Sequence, residues 1–152
     1  MRTIGFRNSP STIRMAVLSQ AAGNVQLLNA ASENRIPFPK QDLSLPDKLA
    51  WAKREIDRVL DQHKPLDAII VKSNEYNRRG ESFASREAAA IDSMVLLAAA
   101  ERGVSVEARL YKQIATRSDK VKVDAEDQVG RTEKYWDTAM ADAIMAALSA
   151  LR

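Results

Sequence analysis

The sequence contains no cysteine and a single histidine, His63. Disulfides and thiolate metal sites are excluded, and one imidazole leaves no basis for a His-rich zinc centre and argues against a Ser-His-Asp triad. His63 sits in Asp61-Gln62-His63-Lys64-Pro65, where a helix is expected to end and a partly exposed basic residue suits the helix dipole. No run of about 18 apolar residues occurs, so no transmembrane helix is expected. Polar Arg7, Asn8 and Ser9 interrupt the N-terminus before any apolar signal core can form, so the expected location is cytoplasmic. No internal repeat or low-complexity segment is visible. The most telling absence is of one charge sign: residues 1–32 include no Asp and no Glu, while Arg2, Arg7 and Arg14 all fall there.

What is present fits one ordinary domain spanning 1–152. A chain of 152 residues, 45% hydrophobic, can bury roughly two-thirds of the surface its unfolded form exposes. The 23 basic and 20 acidic residues leave a net charge of only +3, which by itself does not establish nucleic-acid binding. Distribution says more. Lys72, Arg78 and Arg79 are opposed only by Glu75 within 72–79, and most acids come later, in amphipathic helices and in 119–133.

Thr3 to Phe6 and Ile13 to Ser19 read as strands joined by the tight turn Asn8-Ser9-Pro10-Ser11, and Val25 to Ala31 follows Ala22-Gly23-Asn24 as a third. Three short strands with tight turns predict an antiparallel meander. Ser44 offers an N-cap and Pro46 a first-turn proline. Leu45, Leu49, Ala52, Ile56, Val59 and Leu60 then recur at helical spacing, giving a helix over 45–62. The apolar run Asp67 to Val71 has the character of a buried parallel strand. Ser82 caps a second helix that Gly103 ends. It is apolar almost all round from Ala88 to Ala100, so it is expected to be covered on more than one side. Val104 to Leu110 is a fifth strand. Residues 111–134 are charged with few large apolar groups and predict a mobile loop. Tyr135 to Leu151 is the last helix. The order βββ-α-β-α-β-α gives an α/β fold, a mixed five-stranded sheet flanked by helices.

Three short segments carry a resemblance: Gly5-Phe6-Arg7-Asn8-Ser9 on the first strand, Ile69-Ile70-Val71-Lys72 on the central strand, and Ala139-Met140-Ala141-Asp142-Ala143-Ile144 on the last helix. With the element order, they resemble the RNase H-like fold and the RuvC-type Holliday-junction resolvases over nearly the whole chain. That family reads Gly-Ile-Asp-Pro-Gly, apolar-apolar-apolar-Glu, and Asp-Ala-Ala-Asp-Ala-Leu at these places. The resemblance implies two divalent metals clamped by converging carboxylates. Here Arg7 and Lys72 stand where two acids are expected, and only Asp142 survives on the last helix. It also implies a homodimer through the apolar helix 83–102.

Arg7, Lys72 and Lys112 would then line the former catalytic cleft and contact phosphates, arginine's planar fork being suited to that task. A structural ion pair of Asp142 with one of these cations is the plainer alternative. Tyr76 with Arg78 and Arg79 could stack on a base and hold a backbone, although a solvated loop explains them equally. Substitute acids are few. Asp137 lies around 140° from Asp142 on a helix, and Glu75 and Glu81 follow the central strand. Three readings result: a RuvC-like protein that binds nucleic acid, DNA favoured and branched DNA included, without cutting it; a magnesium- or manganese-dependent nuclease using Asp142, Asp137 and Glu75; or a homodimeric interaction module. The first requires no cofactor and no metal, with Asp142 the one weak candidate ligand.

Overall fold

The structure, a computed structural model, describes residues 1–76 and 80–152; Arg78 and Arg79 lie outside the described residues. Strands β1 (Arg2–Asn8), β2 (Thr12–Ala21), β3 (Asn24–Leu27) and β4 (Arg35–Pro37) precede helix α1 (Leu45–His63). Then come β5 (Ala68–Lys72), α2 (Phe83–Glu101), β6 (Ser105–Arg109), α3 (Val121–Gln128) and α4 (Thr138–Ser149). The sheet runs β3-β2-β1-β5-β6, with β4 also on β2. β1 pairs antiparallel with β2, and β5 runs parallel to β1 and to β6.

The expected mixed sheet is present, with one strand and one helix more than the sequence predicts. β3 stops at Leu27 because Asn29 is buried and takes over the backbone of β2: its Oδ1 accepts the Val17 N–H at 2.9 Å and its Nδ2 donates to the Met15 carbonyl at 3.0 Å. The chain then returns to β2 as the three-residue β4. The segment 111–134, expected as a mobile loop, instead folds against α4. Ile114, Val121 and Ala125 are fully buried there, and α3 has formed. The last helix starts at Thr138 rather than Tyr135 because Asp137 caps it, its Oδ1 accepting the Met140 N–H at 2.8 Å.

Strand alternation assigns the two faces of β1. Ile4 and Phe6 join the core under α1 and α2, while Ile70 of β5 and Ala16 and Leu18 of β2 pack with α3 and α4. Gly5 makes the second packing possible. A Cβ there would stand 1.9 Å from the Ala143 carbonyl oxygen and 2.6 Å from the Ala147 nitrogen, so the α4 backbone rests directly on β1. Thr3, on the same face, donates to the Ala147 carbonyl at 3.0 Å.

Candidate nucleic-acid interface

The parallel strands β1 and β5 end side by side, and open sheets of this kind place ligand sites at such carboxyl ends. Arg7 follows Gly5 onto the α4 face. Because α4 lies so close to β1, Asp142 reaches the guanidinium: Arg7 Nε stands 3.2 Å from Asp142 Oδ2. Arg7 Nη1 donates to the Lys72 carbonyl at 3.1 Å. On the far side of Asp142, the Tyr111 hydroxyl donates to Oδ1 at 2.8 Å.

Lys72 completes the cluster from beneath. Its side chain is fully buried, with Nζ 3.9 Å from the Tyr111 ring centroid, a cation–π contact. The ammonium also donates to Glu75 Oε1 at 3.0 Å and to the Ser73 carbonyl at 2.5 Å. Glu75 Oε1 accepts the Tyr111 backbone N–H at 2.7 Å. Lys72 therefore faces the interior rather than the cleft. As the last residue of β5 it turns toward α4, where Tyr111 and Glu75 cover it.

These surroundings move the titrations. Burial raises Asp142, outweighing the Tyr111 hydroxyl and the charges of Arg7 and Lys72. Burial also lowers Lys72, against the pull of Glu75, and the Arg7 charge adds to that lowering. Burial works to raise Glu75, but the Tyr111 N–H and the Lys72 ammonium prevail and it falls. Tyr111 is raised by burial and by the Asp142 charge.

Above this cluster opens a cleft of about 1290 Å³, bordered by Arg7, Arg14, Ser82, Asp92 and Ala139 among others. Tyr76 stands on its rim, 92% exposed. Arg14 is the direct cross-strand partner of Arg7, and its Nη2 donates to Asp137 Oδ2 at 2.8 Å. On the opposite face of β1, Asn8 Nδ2 donates to Asp92 Oδ1 at 2.8 Å. Burial pushes Asp92 up to about 7, against the lowering effects of Asn8, Arg7 and Lys72.

The candidate acids are not brought together. Asp142 is held by Arg7 and Tyr111, Asp137 by Arg14, Glu75 by Lys72, and Glu81 reaches Arg86 at 3.4 Å. Among the described residues no group of three His, Asp or Glu side chains could hold a metal ion. The donor set on these positions, dominated by cations, therefore does not fit the pair of divalent ions that the resemblance implies. Lys112 lies away from the cleft, beside a smaller hollow shared with Arg117 and Lys120.

Sequence reasoning missed Arg14, Asp92 and Tyr111. The hairpin turn closes at Ser9 and Thr12, one residue later than the 8–11 turn expected from sequence, and only this register sets Arg7 opposite Arg14. No sequence signal marks Tyr111, which joins the cluster only through tertiary packing.

Solved structures share this architecture. Thermus thermophilus RuvC in complex with Holliday junction substrate superposes with a TM-score of 0.78 at 21% identity, covering 98% of this chain and 92% of that one. The chain has the RuvC-type RNase H-like fold. The yeast mitochondrial Holliday junction resolvase gives a TM-score of 0.59 at 13% identity, over 97% of this chain and 78% of its own. The fowlpox virus resolvase in complex with Holliday junction DNA gives 0.55 at 12%, over 99% and 97%. Neither a protein-family model nor a curated protein matches the sequence. On this RuvC-type fold, no helix among the described residues is long and apolar enough to cross a membrane.

Proposed function

We propose that this chain is a RuvC-like, cytoplasmic protein that binds nucleic acid, with branched DNA the favoured ligand, and does not cut it. One observation carries the reading: Arg7 lies at the mouth of the cleft and is locked onto Asp142, the acid a metal would need. A guanidinium there repels a divalent ion and attracts a phosphate. Tyr76, exposed on the rim, supplies a ring on which an unpaired base can stack. Arg78 and Arg79 extend the same loop in sequence, and Lys112 adds a basic contact at a distance. Lys72 acts from inside: its ammonium steadies Glu75 and Tyr111, and through Tyr111 the Asp142 carboxylate. Two of the resolvases that share the fold, from Thermus thermophilus and fowlpox virus, are in complex with Holliday junctions in their own structures, which favours branched DNA over other nucleic acids.

The homodimer belongs to the same proposal. Ala89, Ser93, Leu97 and Ala100 form an exposed stripe on α2, and Phe83 at its start is 82% exposed. Small residues with one leucine suit close approach of a second copy of the same helix.

An electrophoretic mobility assay tests the binding function. Four-way junction, duplex and single-stranded DNA are compared at two salt concentrations, with magnesium or manganese added in parallel to score cleavage. Retention of junction DNA that weakens steeply with salt, with no cut product, is expected. No retention of any DNA at low salt would remove the proposal, and metal-dependent cleavage lost in Asp142→Asn would replace it with the nuclease reading.

A further inference from the structure

The geometry points to a shared phosphate site made by Arg7 and Arg14, in which the two guanidiniums take one backbone phosphodiester between them. This inference rests on the nucleic-acid reading and adds a residue and a stoichiometry to it.

Arg7 and Arg14 are paired residues of the antiparallel β1–β2 ladder, and side chains in that relation stand about 5 Å apart at Cβ. Like charges so placed repel. Here each is held by its own acid, Arg7 by Asp142 of α4 at 3.2 Å and Arg14 by Asp137, the α4 N-cap, at 2.8 Å. The two acids are five residues apart on one helix end, so two parallel Arg–Asp pairs bridge sheet and helix. Neither pair is saturated. Arg7 spends Nε on Asp142 and Nη1 on the Lys72 carbonyl, leaving Nη2 without a partner among the described residues. Arg14 spends Nη2 on Asp137 and keeps Nε buried inside the protein, leaving Nη1 without a hydrogen-bond partner among the described residues.

Both arginines border the cleft, and so does Ala139. Ala139 lies between the two acids in sequence. Its methyl group adds no negative charge to the space beside the two guanidiniums. The arrangement is held on the protein side and open on the cleft side. That suits a tetrahedral anion offering two oxygens, since each guanidinium can meet a different one.

The test measures affinity for one labelled four-way DNA junction with the native chain, Arg7→Gln, Arg14→Gln and the double variant, across a salt series. Each single variant is expected to weaken binding about tenfold, the loss of a charged hydrogen bond. A shared phosphate makes the double variant lose little more than either single one. The slope of log affinity against log salt should fall by about one unit in the double variant, not about two. Circular dichroism at the assay temperature verifies folding, and Arg7→Lys and Arg14→Lys, which keep the charge but lose the fork, replace any variant that does not fold. Arg14→Gln binding like the native chain, or single losses that multiply in the double variant, would overturn the shared site while leaving the nucleic-acid reading intact. A native chain that binds no DNA would remove both.

Discussion

Arg7 Nε lies 3.2 Å from Asp142 Oδ2, and this contact joins the end of β1 to the second turn of α4. The Asp142 side chain is 3% exposed and Arg7 21%, so the carboxylate depends on its partner. Removing one member of a buried pair leaves an uncompensated charge and costs about 3 kcal/mol. Arg7→Ala is expected to lose stability on that scale in urea titrations near neutral pH. The loss should shrink as pH falls, because a protonated Asp142 no longer needs the cation. A pH-independent loss would mean that packing, not charge, dominates.

Asp92 predicts a pH dependence of the native chain. Its folded pKa of about 7 lies above the ordinary 3.8 because burial disfavours the charged form. The folded state therefore holds the proton more tightly than the unfolded state. Stability from this group is complete below about pH 4 and is lost as pH rises through about 7. The span corresponds to a few kcal/mol. Asp92→Asn keeps an acceptor for Asn8 and carries no ionisation, so it should be more stable than the native chain at pH 8 and gain little at pH 4. Parallel melting curves at the two pH values check this; an equal gain at both would exclude the titration.

Gly5 predicts a steric limit. A methyl group there would meet the Ala143 carbonyl oxygen at 1.9 Å, and that oxygen is helix backbone that cannot swing aside. Gly5→Ala should cost more than about 3 kcal/mol, beyond ordinary overpacking. Chemical denaturation, or loss of soluble protein, measures it.

If cations have displaced a metal cage, returning the acids should restore affinity for metal. The combined change Arg7→Asp, Lys72→Glu, Ala139→Asp places three carboxylates beside Asp142. Calorimetric titration with manganese is expected to show a saturable site in the variant and none in the native chain. Equal binding by both would contradict the displacement.

Leu97, 47% exposed on α2, is the clearest probe of self-association. Leu97→Glu should convert a dimer to a monomer in light scattering coupled to size exclusion, since it buries a charge at the helix pair. A native chain that is already monomeric would end the homodimer proposal.

Local rules carried much of the architecture. Ser44 and Ser82 cap α1 and α2 as their positions in the sequence suggest, each side-chain oxygen accepting a backbone N–H three residues on. The apolar spacing of α1 and the apolar run of β5 each have one physical interpretation over their length. β4 and α3 did not, because three residues are too few for a period and α3 buries only Val121 and Ala125.

The chain's own order of residues determined that Arg7 and Lys72 end neighbouring strands and that Asp142 follows on a helix. Only the tertiary structure decided what those residues do together. Gly5 lets α4 down onto β1 and so delivers Asp142 to Arg7. Tyr111, thirty-nine residues beyond Lys72 in the chain, covers that lysine and turns it inward. Charge pairing and burial act through space between segments far apart in sequence, and neither propensity nor periodicity records such distances.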